Sequence, residues 1–207
     1  MEPPPLTLEK GRSILVTHPE PKILTTLARV SAAKTIEGDL DDEARLLAGE
    51  VRWDGRTLDE RARSGEKLGL FRTIALVEAG CRLLSGKSVL DCFCLDLEYN
   101  QGLFRLEARR AAMETLERLG LSDLADSPQE SLPGPERGLA LVALALSRRP
   151  ALLILDRPGA FLDEEGLSLA WREISGDLAG QGRAALVLDY SSETWTGDMG
   201  ISSVLSL

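Results

Sequence analysis

Asp156 ends an uninterrupted apolar run, Ala151-Leu-Leu-Ile-Leu155, and Arg157 follows it at once. A run with no polar alternation suits a central strand buried on both faces, and the carboxyl edge of such strands is where open α/β sheets bind ligands. A carboxylate at that edge can hold a metal ion. An arginine cannot accept a proton at neutral pH, so Arg157 cannot serve as a general base. A second set of candidates lies in His18-Pro-Glu-Pro-Lys-Ile-Leu-Thr-Thr26, where Lys22 offers a cation and Thr25 and Thr26 offer hydroxyls just after a strand-like run. Cys81, Cys92, Cys94 and the single histidine, His18, are too few for a zinc site, and they read as reduced, partly buried thiols and a lone imidazole. A reducing compartment is expected.

The elements that must position these residues alternate. Strand-like runs fall at Ser13 to Thr17, Glu50 to Trp53, Thr73 to Val77, Ala151 to Leu155, Ala184 to Leu188 and Ser203 to Leu207. Helix-like stretches fall at Leu103 to Leu119, with an apolar stripe of Leu106, Met113, Leu116 and Leu119, and at Glu136 to Ser147 and Glu164 to about Leu178. The expected fold is α/β, a mainly parallel sheet flanked by helices. With 207 residues the chain is expected to form one domain, residues 1–207. The acidic stretch Thr35 to Arg45 reads as a solvated surface insertion.

Composition excludes several classes. At 43% hydrophobic and 28% charged residues, the chain is neither a disordered nor an integral membrane protein by type. A formal net charge of -9 argues against a nucleic-acid partner. Met1 to Leu8 has three prolines and no basic stretch before an apolar run, so no signal peptide is expected, and no apolar stretch approaches the roughly 20 residues that span a bilayer. Membrane association, if any, must come through a partner.

The order of segments resembles the nucleotide-binding domain of ABC transporters over almost the whole chain. Gly49-Glu-Val-Arg-Trp-Asp-Gly55 is similar to the strand and turn after that family's first helix. Leu132-Pro-Gly-Pro-Glu-Arg137 stands where the family's signature opens a helix, Arg149 to Pro158 is similar to the Walker B strand, and Phe161-Leu-Asp163 to the D-loop. The last three keep the family's spacing, and together they carry the resemblance. It implies a P-loop NTPase-like fold with a helical subdomain, at about residues 79–131, inserted in a RecA-like core. Within the family, Ser88 to Asn100 leading to Leu119 to Asp126 most resembles ATPases of lipid transporters of the Mla and Mce type.

Against the resemblance, the side chains that bind and hydrolyse ATP are replaced. A P-loop uses glycines to aim backbone N-H groups at phosphate oxygens and a lysine to neutralise the β and γ charges. If Thr25 and Thr26 match the paired hydroxyl residues, the lysine position is Leu24, and the glycine positions hold His18, Pro21 and Ile23. Proline has no N-H, isoleucine resists positive φ, and Glu20 adds like charge. Pro19 and Pro21 are expected to stiffen the turn, with Thr25 or Thr26 capping the helix. The resemblance further places Arg157 at the glutamate that polarises water, Glu78 at the Q-loop glutamine, Tyr190 at the switch histidine, and Pro133 and Pro135 at a serine and a glycine of the signature. It finds no counterpart for the N-terminal strand that carries the adenine-stacking aromatic residue. Each lost charge-assisted contact costs roughly 1.5 to 3 kcal/mol, so five such losses remove millimolar-range affinity.

The expected function is therefore a structural or regulatory pseudo-ATPase, with no cofactor, docking through Val89 to Leu121 on a membrane permease at the cytoplasmic face. Its family pairs nucleotide-binding subunits head to tail, so a homodimer or heterodimer is implied. One alternative is an active or weakly active ATPase in which Lys22, Thr25 and Thr26 bind ATP and Asp156 binds Mg²⁺. Another is a soluble scaffold unrelated to transport. In the inert case an ion pair between Arg157 and Glu78 is expected to fill the electrostatic role of nucleotide and metal, with Asp156 near free backbone donors.

Overall fold

The structure is a computed structural model that describes residues 7–32, 52–53, 55–65, 69, 72–195 and 199–207. The expected surface insertion at 35–45 lies outside these residues, as do residues 50–51 of the expected second strand.

The apolar runs fold as β1 (Ser13–Thr17), β4 (Ile74–Glu78), β5 (Leu152–Asp156), β6 (Ala184–Asp189) and β7 (Ser203–Ser206). They form one all-parallel sheet in the order β4-β5-β6-β1-β7. Between them in sequence lies a two-stranded antiparallel ribbon, β2 (Arg52–Trp53) and β3 (Arg56–Thr57), followed by a short helix, α2 (Leu58–Arg63).

Side chains alternate across the sheet, and each face has its own cover. Ile14, Val16, Ile74, Leu76, Ile154, Leu186 and Leu188 point to one side, where Leu24, Ala28 and Ala32 of or beside α1 (Pro21–Ser31) close a compact cluster. Leu15, Ala75, Val77, Leu153, Leu155, Ala185 and Val187 point to the other. That side is covered by α5 (Gly134–Ser147) and α6 (Glu164–Gln181), and the same cluster runs on into α3 (Val89–Gln101) and α4 (Arg105–Arg118) through Phe93, Leu97, Ala112 and Leu116. Residues 89–131 thus share one core with the sheet. An isolated bridge between Ser88 and Pro128 and a hydrogen bond from Val89 N to Ser127 O (3.0 Å) tie the ends of this segment together.

Local chemistry explains the boundaries. Ser88 caps α3 by accepting from Asp91 N at 3.1 Å, and Gly102 ends it at φ 68°, a backbone that a Cβ opposes. Asp163 caps α6 by accepting from Gly166 N at 2.8 Å. The expected stripe of the 103–119 helix needs correction: Leu106 is 80% exposed, and the buried face is Ala108, Ala112, Thr115 and Leu116. Leu106 lies two residues before Ala108, about 200° around the helix, so it cannot share that face.

Cys92 and Cys94 are buried thiols and Cys81 is partly exposed. Burial pushes both buried thiols above the usual range. No helix among the described residues is long and apolar enough to cross a membrane.

Candidate functional site

Thr17, Glu78, Asp156 and Asp189 end four neighbouring strands, so the parallel register brings them to one carboxyl edge. Of the expected candidates, Thr25, Asp156, Arg157 and Tyr190 meet there, with different partners from those the sequence suggested.

The turn before α1 is short. β1 ends at Thr17 and the helix begins at Pro21, which leaves only His18, Pro19 and Glu20 between them. His18 Nδ1 accepts from Glu20 N at 2.9 Å, and Glu20 O accepts from Leu24 N at 3.5 Å, so the backbone is wound into a helical turn where a phosphate loop would curl. Proline at the first helical position suits that start, because its φ is preset and its missing N-H is one the helix does not need. The expectation that Thr25 or Thr26 caps the helix is therefore corrected, since both lie one turn inside it. Leu24, expected at the lysine position if Thr25 and Thr26 match the paired hydroxyl residues, is fully buried in the α1 cluster with Val16, Ala28 and Ile154. Lys22 is exposed in the first turn of α1, and none of the hydrogen bonds or ion pairs at the strand edge involves it.

Asp156 is fully buried, and a buried carboxylate must find counter-charge and hydrogen bonds. It finds both in side chains. Arg157 donates from Nε to Asp156 Oδ1 at 2.9 Å and from Nη2 to Oδ2 at 3.2 Å, while Thr25 donates from Oγ1 to the same Oδ2 at 2.8 Å. Arg157 Nη2 also donates to Thr25 Oγ1 at 2.6 Å, and Nη1 to the Tyr190 hydroxyl at 3.3 Å. The guanidinium carbon lies 5.9 Å from the centroid of the Tyr190 ring. The hydrogen bond to Asp156 holds the guanidinium protonated more firmly than usual, although its own burial opposes this.

The expected Arg157–Glu78 pair does not form. Arg157 sits at φ 50°, ψ 63°, a left-handed backbone that folds its side chain back over its own neighbour, Asp156. Glu78 instead pairs with Arg29 of α1 at 3.4 Å. The preference has an energetic reason: Asp156 is wholly desolvated, whereas Glu78 keeps 20% side-chain exposure and water can serve it. Free backbone donors near Asp156, also expected, are not what satisfies it.

Tyr190, expected at the switch position, is 49% exposed, and its backbone is fixed: Asp189 Oδ1 accepts from Tyr190 N and Oδ2 from Trp195 Nε1, both at 2.8 Å. Trp195 was not among the expected site residues. An indole six residues beyond a strand-ending aspartate was the available signal.

At the signature, α5 begins at Gly134 with Pro133 as its cap residue and no side-chain cap. Pro135 removes one first-turn N-H. Glu136 adds a carboxylate whose Oε2 is buried without a hydrogen-bond partner among the described residues. A helix start ordinarily favours anions, but here its own glutamate already uses that field.

Mg²⁺ with ATP, which the resemblance implies, does not fit these residues as they stand. The turn expected to cradle phosphate is the start of a helix, Leu24 lies in the core, and both oxygens of Asp156 already accept from protein donors.

No family model matches the chain. It is 34% identical over 156 residues to the methionine import ATP-binding protein MetN of Rhizobium etli, covering 75% of this chain and 42% of that protein. It is 32% identical over 151 residues to the lipoprotein-releasing system ATP-binding protein LolD 2 of Caulobacter vibrioides, covering 73% and 64%. The chain thus spans less than two thirds of the length of either relative. Its fold matches MJ0796, a bacterial ABC transporter cassette solved as a dimer, with a TM-score of 0.77 and 18% identity over 97% of this chain and 84% of that one. Sequence relatives, parallel sheet and the run of signature, Walker B and D-loop segments agree, and the chain belongs to the ATP-binding subunits of ABC transporters.

Proposed function

We propose that this chain is a non-hydrolysing cassette subunit, a structural or regulatory member of a transport complex that docks on a membrane permease at the cytoplasmic face. The observation that carries this reading is Leu24, fully buried at the lysine position inside a helix that has consumed the phosphate loop. Arg157 in place of a general base supports it, because a guanidinium held by a carboxylate neither polarises water nor accepts a proton.

Titration of the purified chain with MgATP, followed by thermal midpoint, tests it. An intact site at a hundredfold excess over its Kd gains about 2.7 kcal/mol of stability. The expected result here is no saturable shift up to millimolar nucleotide. Saturable binding in the micromolar range would overturn the reading in favour of an active or weakly active subunit using Lys22, Thr25, Thr26 and Asp156.

Exposure supports a docking face. Tyr99 is 81% and Phe104 80% exposed beside Leu106, all at the junction of α3 and α4 within the Val89 to Leu121 region. Large apolar side chains grouped in this way mark a contact surface. The double variant Tyr99→Ser, Phe104→Ser is expected to keep the thermal midpoint within a degree or two, because neither side chain is buried, and to lose co-purification with the permease from membranes. If the wild-type chain itself brings down no membrane protein, a soluble scaffold is the better account. Pairing with a second cassette, identical or not, belongs to the same proposal. A lipid cargo has the lipoprotein-releasing relative in its favour and the methionine-importing relative against it, and identifying the co-purified permease would decide between them.

A further inference from the structure

We propose that Arg157 is a resident cation that joins α1, β5 and the turn after β6 into one fixed arrangement. The proposal rests on the inert reading above and specifies how the site holds its shape without a ligand.

Three observations converge on it. First, the bookkeeping of the guanidinium is nearly closed. Of its five N-H groups, one on Nε and one on Nη2 meet the two oxygens of Asp156, the second on Nη2 meets Thr25 and one on Nη1 meets Tyr190. One N-H remains, so the group has no fork to offer a phosphate, and its charge is matched by a carboxylate with no solvent exposure. Second, the contacts come from three separate elements: Thr25 from α1, Asp156 from the end of β5, and Tyr190 from beyond β6. A structural arginine that only capped its own turn would touch one. Third, the arrangement is supported on its far side. Asp189 holds Tyr190 N and Trp195 Nε1, and Trp195 packs edge-on against Trp171 of α6 with ring centroids 5.3 Å apart. The tyrosine is thus presented to Arg157 by a chain of contacts that ends in the core.

The backbone shows that the position is specific. Arg157 adopts a left-handed conformation that a residue with a Cβ seldom takes, and its N-H donates to Leu188 O at 2.8 Å. That conformation sends the side chain back over Asp156. A glutamate with the same backbone would set two carboxylates against each other without a bound cation.

Hydrogen exchange on the 207-residue chain, with mass-spectrometric readout by segment, tests this. Arg157→Gln is expected to speed exchange at least tenfold in three separate segments: α1, residues 157–161 and residues 189–195. Arg157→Lys keeps charge but loses the fork, and is expected to be intermediate in the same three. In thermal melts, Asp156→Asn should cost several degrees in the wild-type background and clearly less in the Arg157→Gln background. Acceleration confined to 157–161, or additive melting effects, overturns the proposal. Should Arg157→Gln fail to fold, Arg157→Lys alone decides by the same segment criterion. Adding MgATP to the wild-type chain separates the two claims. Protection of α1 by nucleotide defeats the inert reading, whereas additive melts without such protection defeat only the resident cation.

Discussion

Leu24→Lys, which restores the family's phosphate-binding lysine by type, is expected to destabilise the fold by about 4 kcal/mol and to bring no nucleotide binding. Leu24 is fully buried among Ile14, Val16, Ala28, Ile154, Leu186 and Leu188. Losing a buried leucine costs about 2 to 5 kcal/mol from transfer and cavity alone. The lysine adds an ammonium that must be neutralised or drag its stem through α1 to reach water, a cost on top of the lost packing. Against a total stability of about 5 to 15 kcal/mol, that is a large share. Leu24→Met conserves volume and should cost less than about 1.5 kcal/mol, so it separates packing from charge. Urea denaturation reads both as shifts in midpoint at constant slope. A lysine variant of near wild-type stability that binds MgATP saturably would mean that the first turn of α1 unwinds into a loop at little cost, and the account of the site would fail with it.

How far the sequence foretold this site depends on which interactions decide each part. Strands β1, β4, β5 and β6 were legible because nearly unmixed apolar runs leave little choice of period, and across all five sheet strands the observed ends differ from the expected ones by a residue or so. Asp156 was placed correctly at the carboxyl edge for the same reason. The α1 boundary was not, although Pro21 carried the signal: alignment with a phosphate loop treats 18–24 as loop, while proline at a first helical position and the apolar pair Leu24 and Ala28, four apart, mark a helix already under way. The partner of Arg157 was mistaken because pairing with Glu78 was judged from the electrostatic role that nucleotide and metal play in the family, not from which carboxylate is desolvated. No local propensity foretells a left-handed arginine; the need of a buried carboxylate for counter-charge outweighs that backbone preference. Leu106 misled because one leucine fitted a loose helical spacing that the smaller Ala108 and Ala112 fit better.

Gly138→Ala is the other substitution with a large expected effect, and it tests how the signature helix is fixed. In a helix interior alanine is ordinarily the better residue by about 1 kcal/mol. At Gly138, however, a Cβ would overlap the carbonyl oxygen of Phe161 and lie 2.8 Å from its carbonyl carbon, with Leu162 Cδ2 at 3.3 Å. The obstacle is backbone, in the turn between Pro158–Ala160 and the Asp163 cap of α6, so no side chain can rotate out of the way. Overpacking costs about 1 to 3 kcal/mol where side chains can yield, and a backbone obstacle belongs at the upper end or beyond. The propensity gain is therefore outweighed, and a net loss of about 2 kcal/mol or more is expected. Gly176→Ala in α6 is the control, because nothing lies within 4 Å of its added Cβ and it should gain about 0.5 to 1 kcal/mol. If both glycines respond alike in urea titrations, α5 does not rest on the backbone of Phe161, and the contact that sets the signature against the D-loop has been misplaced. If only Gly138 loses stability, a glycine within the signature helix is required by packing alone, with no nucleotide needed to explain it.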